Sequence, residues 1–169
     1  MSFSSYFTNK QGGDRIFSVE APKIKFGRGS LKEIGDDARA LGMNRVAVFT
    51  DPKVAQLEPV AKVVESLKSK GLESVVYDQV TVEPTDISFK QGSKFAREGK
   101  FDGFVSVGGG SVMDTCKASN LYSCYSADFL DYVNAPIGKA VPVPGILKPH
   151  IACPTTFGCL LYTSPSPRD

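Results

Sequence analysis

The chain has 169 residues, enough for one domain with a real core and too few for two large ones. Its composition, 41% hydrophobic and 22% charged, is that of a globular protein, and a formal net charge of +2 calls for no nucleic-acid or membrane partner. No apolar run approaches the length of a membrane span.

Residues 1–22 read as a disordered leader. Met1–Gly13 carries serines, aromatics and Lys10 without the Arg-rich amphipathic character of a transit peptide. Lys23–Phe26 predicts a short strand ending at Gly27 and Gly29. Ser30 and Glu33 have the spacing of a capping box. The helix they would start places Leu31, Ile34, Ala38 and Leu41 on one face and stops at Gly42. Arg45–Thr50 contains a continuous apolar run, expected of a strand buried on both faces, and Asp51-Pro52 breaks it.

The spacing of Leu57, Val60, Val64 and Leu67 predicts a helix over Val54–Lys70 with Gly71 as its stop. Ser74–Tyr77 predicts the next strand. Asp86 can cap a third helix reaching Glu98, whose pattern Gly92 interrupts. Phe104–Val107 predicts a strand and Val112–Tyr122 a helix. Beyond Ser123 the alternation fades. Phe129–Val133 predicts a short helix, Ala135–Pro149 a Pro/Gly-rich loop, and Ile151–Cys153 one more strand ending at Pro154-Thr155-Thr156. Strands alternating with helices of this length imply a Rossmann-like α/β fold. Its sheet is mostly parallel, with helices on both faces and ligands beyond the carboxyl ends of its strands.

Two features fall at those ends. One is Gly108-Gly109-Gly110-Ser111, where a strand turns into a helix. Glycines there bare backbone amides to a phosphate in unusual φ/ψ values, and the helix dipole points at the same spot. The run is neither G-x-G-x-x-G nor a P-loop. A plain strand-to-helix turn, with Ser111 as N-cap and Asp114 as its capping-box partner, fits the same residues. The other feature is Asp51, which can accept hydrogen bonds from ribose hydroxyls or cap a turn. Both on one sheet point to dinucleotide binding.

The four cysteines, Cys116, Cys124, Cys153 and Cys159, form no C-x-x-C pair and read as reduced thiols, Cys116 as a buried apolar residue. One histidine, His150, cannot build a multi-histidine metal site. Cys159–Asp169 follows none of the preceding pattern. It resembles the in-frame translation of a transposase adapter used in sequencing libraries and reads as a scar outside the fold.

The segments Val76–Asp86, Gly108–Tyr122, Phe129–Lys139 and Pro154–Gly158 together resemble the iron-containing alcohol dehydrogenase family. Dehydroquinate synthase and glycerol dehydrogenase also use a triple-glycine turn. Asp114–Lys117 and Pro154–Thr156 point to the alcohol dehydrogenase branch.

The resemblance implies an N-terminal NAD-binding domain over residues 23–158. Gly108, Gly109, Gly110 and Ser111 would hold the pyrophosphate. Asp51 would contact the adenosine ribose and favour NAD over NADP. Asp114 and Lys117 match the family's next motif positions, and Thr155 and Thr156 would lie near the nicotinamide half. The resemblance also implies a hydride transfer between a hydroxy acid (4-hydroxybutyrate) and an oxo acid (2-oxoglutarate). A small-molecule substrate, a mitochondrial or else cytoplasmic location, and a homo-oligomer for the intact parent belong to the same expectation.

After Phe157-Gly158 the family continues Thr-Gly-Ser-Glu, where this chain has Cys159. A helical second domain would supply the ligands of a divalent metal, iron or zinc, as one aspartate and three histidines. None of those ligands, and no catalytic residue, is assigned here. An NAD-dependent, metal-containing alcohol dehydrogenase and a non-catalytic nucleotide-binding module are the alternatives.

Overall fold

A computed structural model describes residues 23–156. The leader over residues 1–22, Phe157-Gly158 and the segment from Cys159 onward lie outside the described residues.

Four strands form one parallel sheet: β1 (Arg45–Phe49), β2 (Glu73–Tyr77), β3 (Gly103–Gly108) and β4 (His150–Pro154), in the order β2-β1-β3-β4. Helices α1 (Ile34–Ala40), α2 (Glu58–Ser69), α3 (Asp86–Glu98) and α4 (Gly110–Cys124) connect and cover it. The continuous apolar runs became the two central strands, and β3 is buried throughout.

Alternation along β1 splits the core in two. Val46 and Val48 join Val105 and Val107 under α1 and α2, against Ile34, Ala38, Val60, Val63 and Leu67. Ala47 and Phe49 face the other way, onto Phe104, Ala96, Val112 and Cys116, where α3 and α4 pack. The aromatic centre of that second layer is Phe49. Its ring lies 5.0 Å from Tyr77, 5.8 Å from Phe95 and 6.1 Å from Phe104.

Gly92, out of place by helix propensity, sits where α3 meets α4. A Cβ there would stand 2.7 Å from Ser119 Oγ, so tertiary contact selects the glycine over local preference. Gly42 and Gly71 end α1 and α2 with φ of 76° and 74°, the left-handed conformation a non-glycine residue adopts at a cost.

Several expected elements differ. Lys23–Phe26 forms no strand and joins no part of the sheet, and Phe26 is 97% exposed. The Ser30/Glu33 capping box does not form. Gly29 (φ 86°) precedes a 3-10 turn over Ser30–Glu33, and α1 starts only at Ile34. The Val54–Lys70 helix is two pieces, a 3-10 turn (Val54–Gln56) and α2, broken at extended Leu57, which is 54% exposed. Pro59 explains the break, because its ring fits the first turn of a helix and not the interior. Thr85, not Asp86, caps α3, in a reciprocal box with Ser88. Phe129–Val133 forms turns, tied by the bond from Lys139 N–H to Leu130 O, rather than a helix.

Asp102 fastens the base of the sheet. Its carboxylate accepts from the amides of Asn44 and Arg45 at 2.9 Å each, so it joins the approaches to β1 and β3. Burial pulls this carboxyl upward, but the amide donors outweigh it and leave it below the usual value. Asp102→Ala orphans both amides and is expected to lower stability by about 2 kcal/mol, read from urea unfolding.

Candidate functional site

The sheet reverses direction beside β1: the chain moves from β1 outward to β2, then returns to place β3 on the other side. Ligands of such sheets sit in the crevice outside the carboxyl ends at that reversal. Asp51 follows β1 there, and Gly108 closes β3.

The glycine turn is built by packing. Gly109 is the N-cap of α4 with φ −79° and ψ −171°, and no glycine of the run has a positive φ. The expectation of unusual backbone angles is therefore corrected. What excludes a side chain at Gly108 is space: a Cβ would meet Val112 Cγ2 at 2.5 Å. A Cβ at Gly109 would lie 3.5 Å from Thr156 Oγ1, an ordinary contact at the edge of the crevice. The amides of Val112 and Met113 both bond Gly109 O. Those of Gly110 and Ser111 open the helix and have no carbonyl four residues back within it. The first turn of α4 carries no acid. An anion in front of it meets bare donors and the positive end of a 15-residue helix.

Ser111 is not the N-cap, and no capping box joins it to Asp114. Its Oγ instead accepts the amide of Glu83 at 3.3 Å, from the loop between β2 and α3. Thr155 N–H donates to Gly108 O at 3.0 Å, which sets Thr155 and Thr156 beside the glycine turn. Asp51 Oδ1 accepts from the amides of Lys53 (2.9 Å) and Val54 (3.0 Å), so this carboxylate caps the turn after β1.

The fold thus brings Gly108, Gly109, Gly110, Ser111, Thr155 and Thr156 together, with Asp51 across the reversal. Asp114 and Lys117 stand further along α4, Lys117 by about 10 Å of axial rise from Gly110. Burial raises the Asp114 carboxyl, against the pull of Lys117. The contribution of the Glu83 loop has no sequence signal: its tie to Ser111 spans 28 residues, and no local pattern encodes it.

His150 belongs to the sheet. Its Nε2 lies 2.8 Å from Ser106 Oγ on the neighbouring strand. Burial, aided by Lys117, depresses its pKa to about 4. The unfolded chain takes up a proton below pH 6.5 that the folded one refuses down to about pH 4. Stability therefore falls across that window, by at most about 3 kcal/mol. His150→Gln is expected to remove this slope, seen as a wild-type-minus-variant difference in urea midpoints between pH 7 and pH 4.5.

Cys116 and Cys153 are not activated: burial raises Cys116 and pushes Cys153 up to about 12. A hollow of about 270 Å³ lined by Lys90, Lys94, Tyr122 and Phe129 is a separate feature. Its two lysines pair with Asp86 and Glu98. No helix among the described residues is long and apolar enough to cross a membrane.

The family model for iron-containing alcohol dehydrogenases matches residues 21–162. The chain belongs to the iron-containing alcohol dehydrogenase family. It is 51% identical over 146 residues to the mitochondrial hydroxyacid-oxoacid transhydrogenase of Bos taurus, covering 86% of this chain and 31% of that protein. It is 46% identical over 171 residues to a probable mitochondrial hydroxyacid-oxoacid transhydrogenase of Dictyostelium discoideum, covering 95% and 31%. The chain thus spans about a third of the length of these curated relatives.

Among solved structures, a 1,3-propanediol oxidoreductase superposes with TM-score 0.75 at 26% identity, over 85% of this chain and 37% of that one. A sulfoacetaldehyde reductase from Bifidobacterium kashiwanohense, solved in complex with NAD+, gives 0.74 at 25% identity, over 86% and 37%. These matches agree with the parallel α/β architecture.

A metal is implied by the family's name, and the described residues do not fit one. No group of three or more His, Cys, Asp or Glu among them is placed to hold an ion. The chain's single histidine is engaged with Ser106.

Proposed function

We propose that residues 23–158 form the NAD-binding part of a mitochondrial oxidoreductase that passes a hydride from a hydroxy acid to an oxo acid. The observation that carries this reading is the acid-free α4 N-terminus behind Gly108-Gly109-Gly110, at the point where the sheet reverses. The cradle fits a dinucleotide. The Gly110 and Ser111 amides and the Ser111 hydroxyl receive its diphosphate, with Gly108 and Gly109 keeping side chains out of the way. Asp51 takes the adenosine ribose hydroxyls with the oxygen that does not cap the turn. Thr155 and Thr156, at the end of β4, border the nicotinamide half. Asp114 and Lys117 are assigned to the same site through their motif positions.

NAD, when bound, supplies the hydride carrier. The protein's share is to hold the diphosphate, orient the ribose and keep the carrier in place between two half-reactions. The relatives' names favour a hydroxy acid and an oxo acid as the pair, and within that class we assign 4-hydroxybutyrate and 2-oxoglutarate. The first loses a hydride and a proton to give the aldehyde succinate semialdehyde. The second gains both to give 2-hydroxyglutarate. A divalent metal and a homo-oligomer are assigned to the intact protein, with the metal's ligands outside the described residues.

The test is to supply both substrates to the intact protein without added coenzyme. Stoichiometric succinate semialdehyde and 2-hydroxyglutarate, with NAD retained on the protein, are expected. Release of NADH on alcohol addition alone would instead mark an ordinary alcohol dehydrogenase. Coenzyme binding with no turnover of any alcohol would mark a non-catalytic module.

A further inference from the structure

We propose that Glu83 is a specificity residue of the diphosphate seat, selecting a dinucleotide over mononucleotide polyphosphates. This inference rests on the coenzyme reading above.

The loop that carries Glu83 is fixed at three points. Val80 N–H reaches Thr50 O at 3.4 Å at the end of β1. Glu83 N–H reaches Ser111 Oγ at 3.3 Å in the first turn of α4. Thr85 then caps α3. The position of Glu83 beside the seat is thus set by tertiary contacts.

Its backbone has φ +55°, and Pro84 follows. Both are costly for glutamate. The left-handed region suits glycine or asparagine, and a residue before proline is pushed away from helical angles. Strain of this kind concentrates where a residue serves a ligand. Glutamate is a poor choice for the turn itself, so what it contributes is its exposed carboxylate.

The electrostatic setting gives that carboxylate a role. The first turn of α4 excludes acids from its own sequence, yet the loop sets an acidic residue beside it, held by its backbone amide on Ser111. The seat is made of amides and a hydroxyl. Accepting the Glu83 amide leaves the Ser111 hydroxyl proton free to donate. A carboxylate on this loop repels each unit of a bound anion's charge by an amount that falls with distance and that salt screens. The diphosphate diester of a dinucleotide carries two negative charges, ADP about three and ATP about four. The penalty therefore rises with ligand charge and keeps abundant mononucleotides out of a site that accepts NAD.

The experiment is calorimetric titration of NAD, ADP and ATP, without magnesium and at low salt, into intact wild type and Glu83→Gln. Gln removes the charge and keeps the backbone donor. The expected result is tighter binding in the order ATP, ADP, NAD, by about twofold for each additional ligand charge, with the differences shrinking in 0.5 M salt. Equal shifts for all three ligands, or no shift, overturn the proposal. Circular dichroism and thermal unfolding of the exposed-site variant check that the fold is unchanged. Failure of wild type to bind any of the three is a different outcome, which overturns the coenzyme reading and this inference with it.

Discussion

Phe49→Ala is expected to cost about 3–5 kcal/mol and to lower the urea midpoint by about 2 M. Phe49 is fully buried and its ring touches β2, β3 and α3 through Tyr77, Phe104 and Phe95. Truncation removes the ring's own transfer free energy and leaves a void bounded by rigid strands on one side. Domains of this size have about 5–15 kcal/mol in total, so this one change takes a large share. Equilibrium unfolding followed by far-UV circular dichroism checks it. A loss below 1 kcal/mol would contradict the two-layer packing around Phe49.

The second large effect falls on ligand binding. Gly109→Val is expected to weaken NAD at least 100-fold, about 2.7 kcal/mol, while costing the fold only about 1 kcal/mol. The backbone at Gly109 is in a region any residue adopts, and a Cβ there meets Thr156 at ordinary contact distance. The valine methyls have to enter the crevice between the turn and β4, the space proposed for the diphosphate. Gly108→Val behaves differently: its Cβ collides with Val112, so fold and binding are lost together. Thermal unfolding and calorimetry on both variants separate a seat that is blocked from a helix that is displaced.

The sequence carried the sheet well where the signal was strong and local. The apolar runs at Arg45–Thr50 and Phe104–Val107 are buried on both faces, and only strands inside a covered sheet need that pattern. Lys23–Phe26 had strand composition, but a strand requires a neighbour, and no periodicity states whether one is present. Leu57 fell at helical spacing by coincidence, while Pro59, the true marker of the start of α2, was in plain view. The Thr85–Ser88 cap is hard to read in the sequence because serine replaces the usual Glu or Gln of a capping box.

The same division holds at the candidate site. Gly108–Ser111 was legible because a strand-glycine-helix junction is short and local. Its physical cause was not, since the clash at Gly108 involves Val112 only after α4 folds back onto β3. Ser111 reads locally as a cap, and only the tertiary structure turns it into the acceptor for Glu83. The sequence leaves two roles open for Asp51, and the structure displays the cap; the ribose role belongs to the coenzyme proposal.

A crystal structure of the intact protein with NAD bound addresses the central claim directly. The account predicts diphosphate oxygens about 3 Å from the backbone nitrogens of Gly110 and Ser111, in front of α4. A coenzyme whose diphosphate lies away from that helix start, with those amides bonded to water or protein instead, would contradict it.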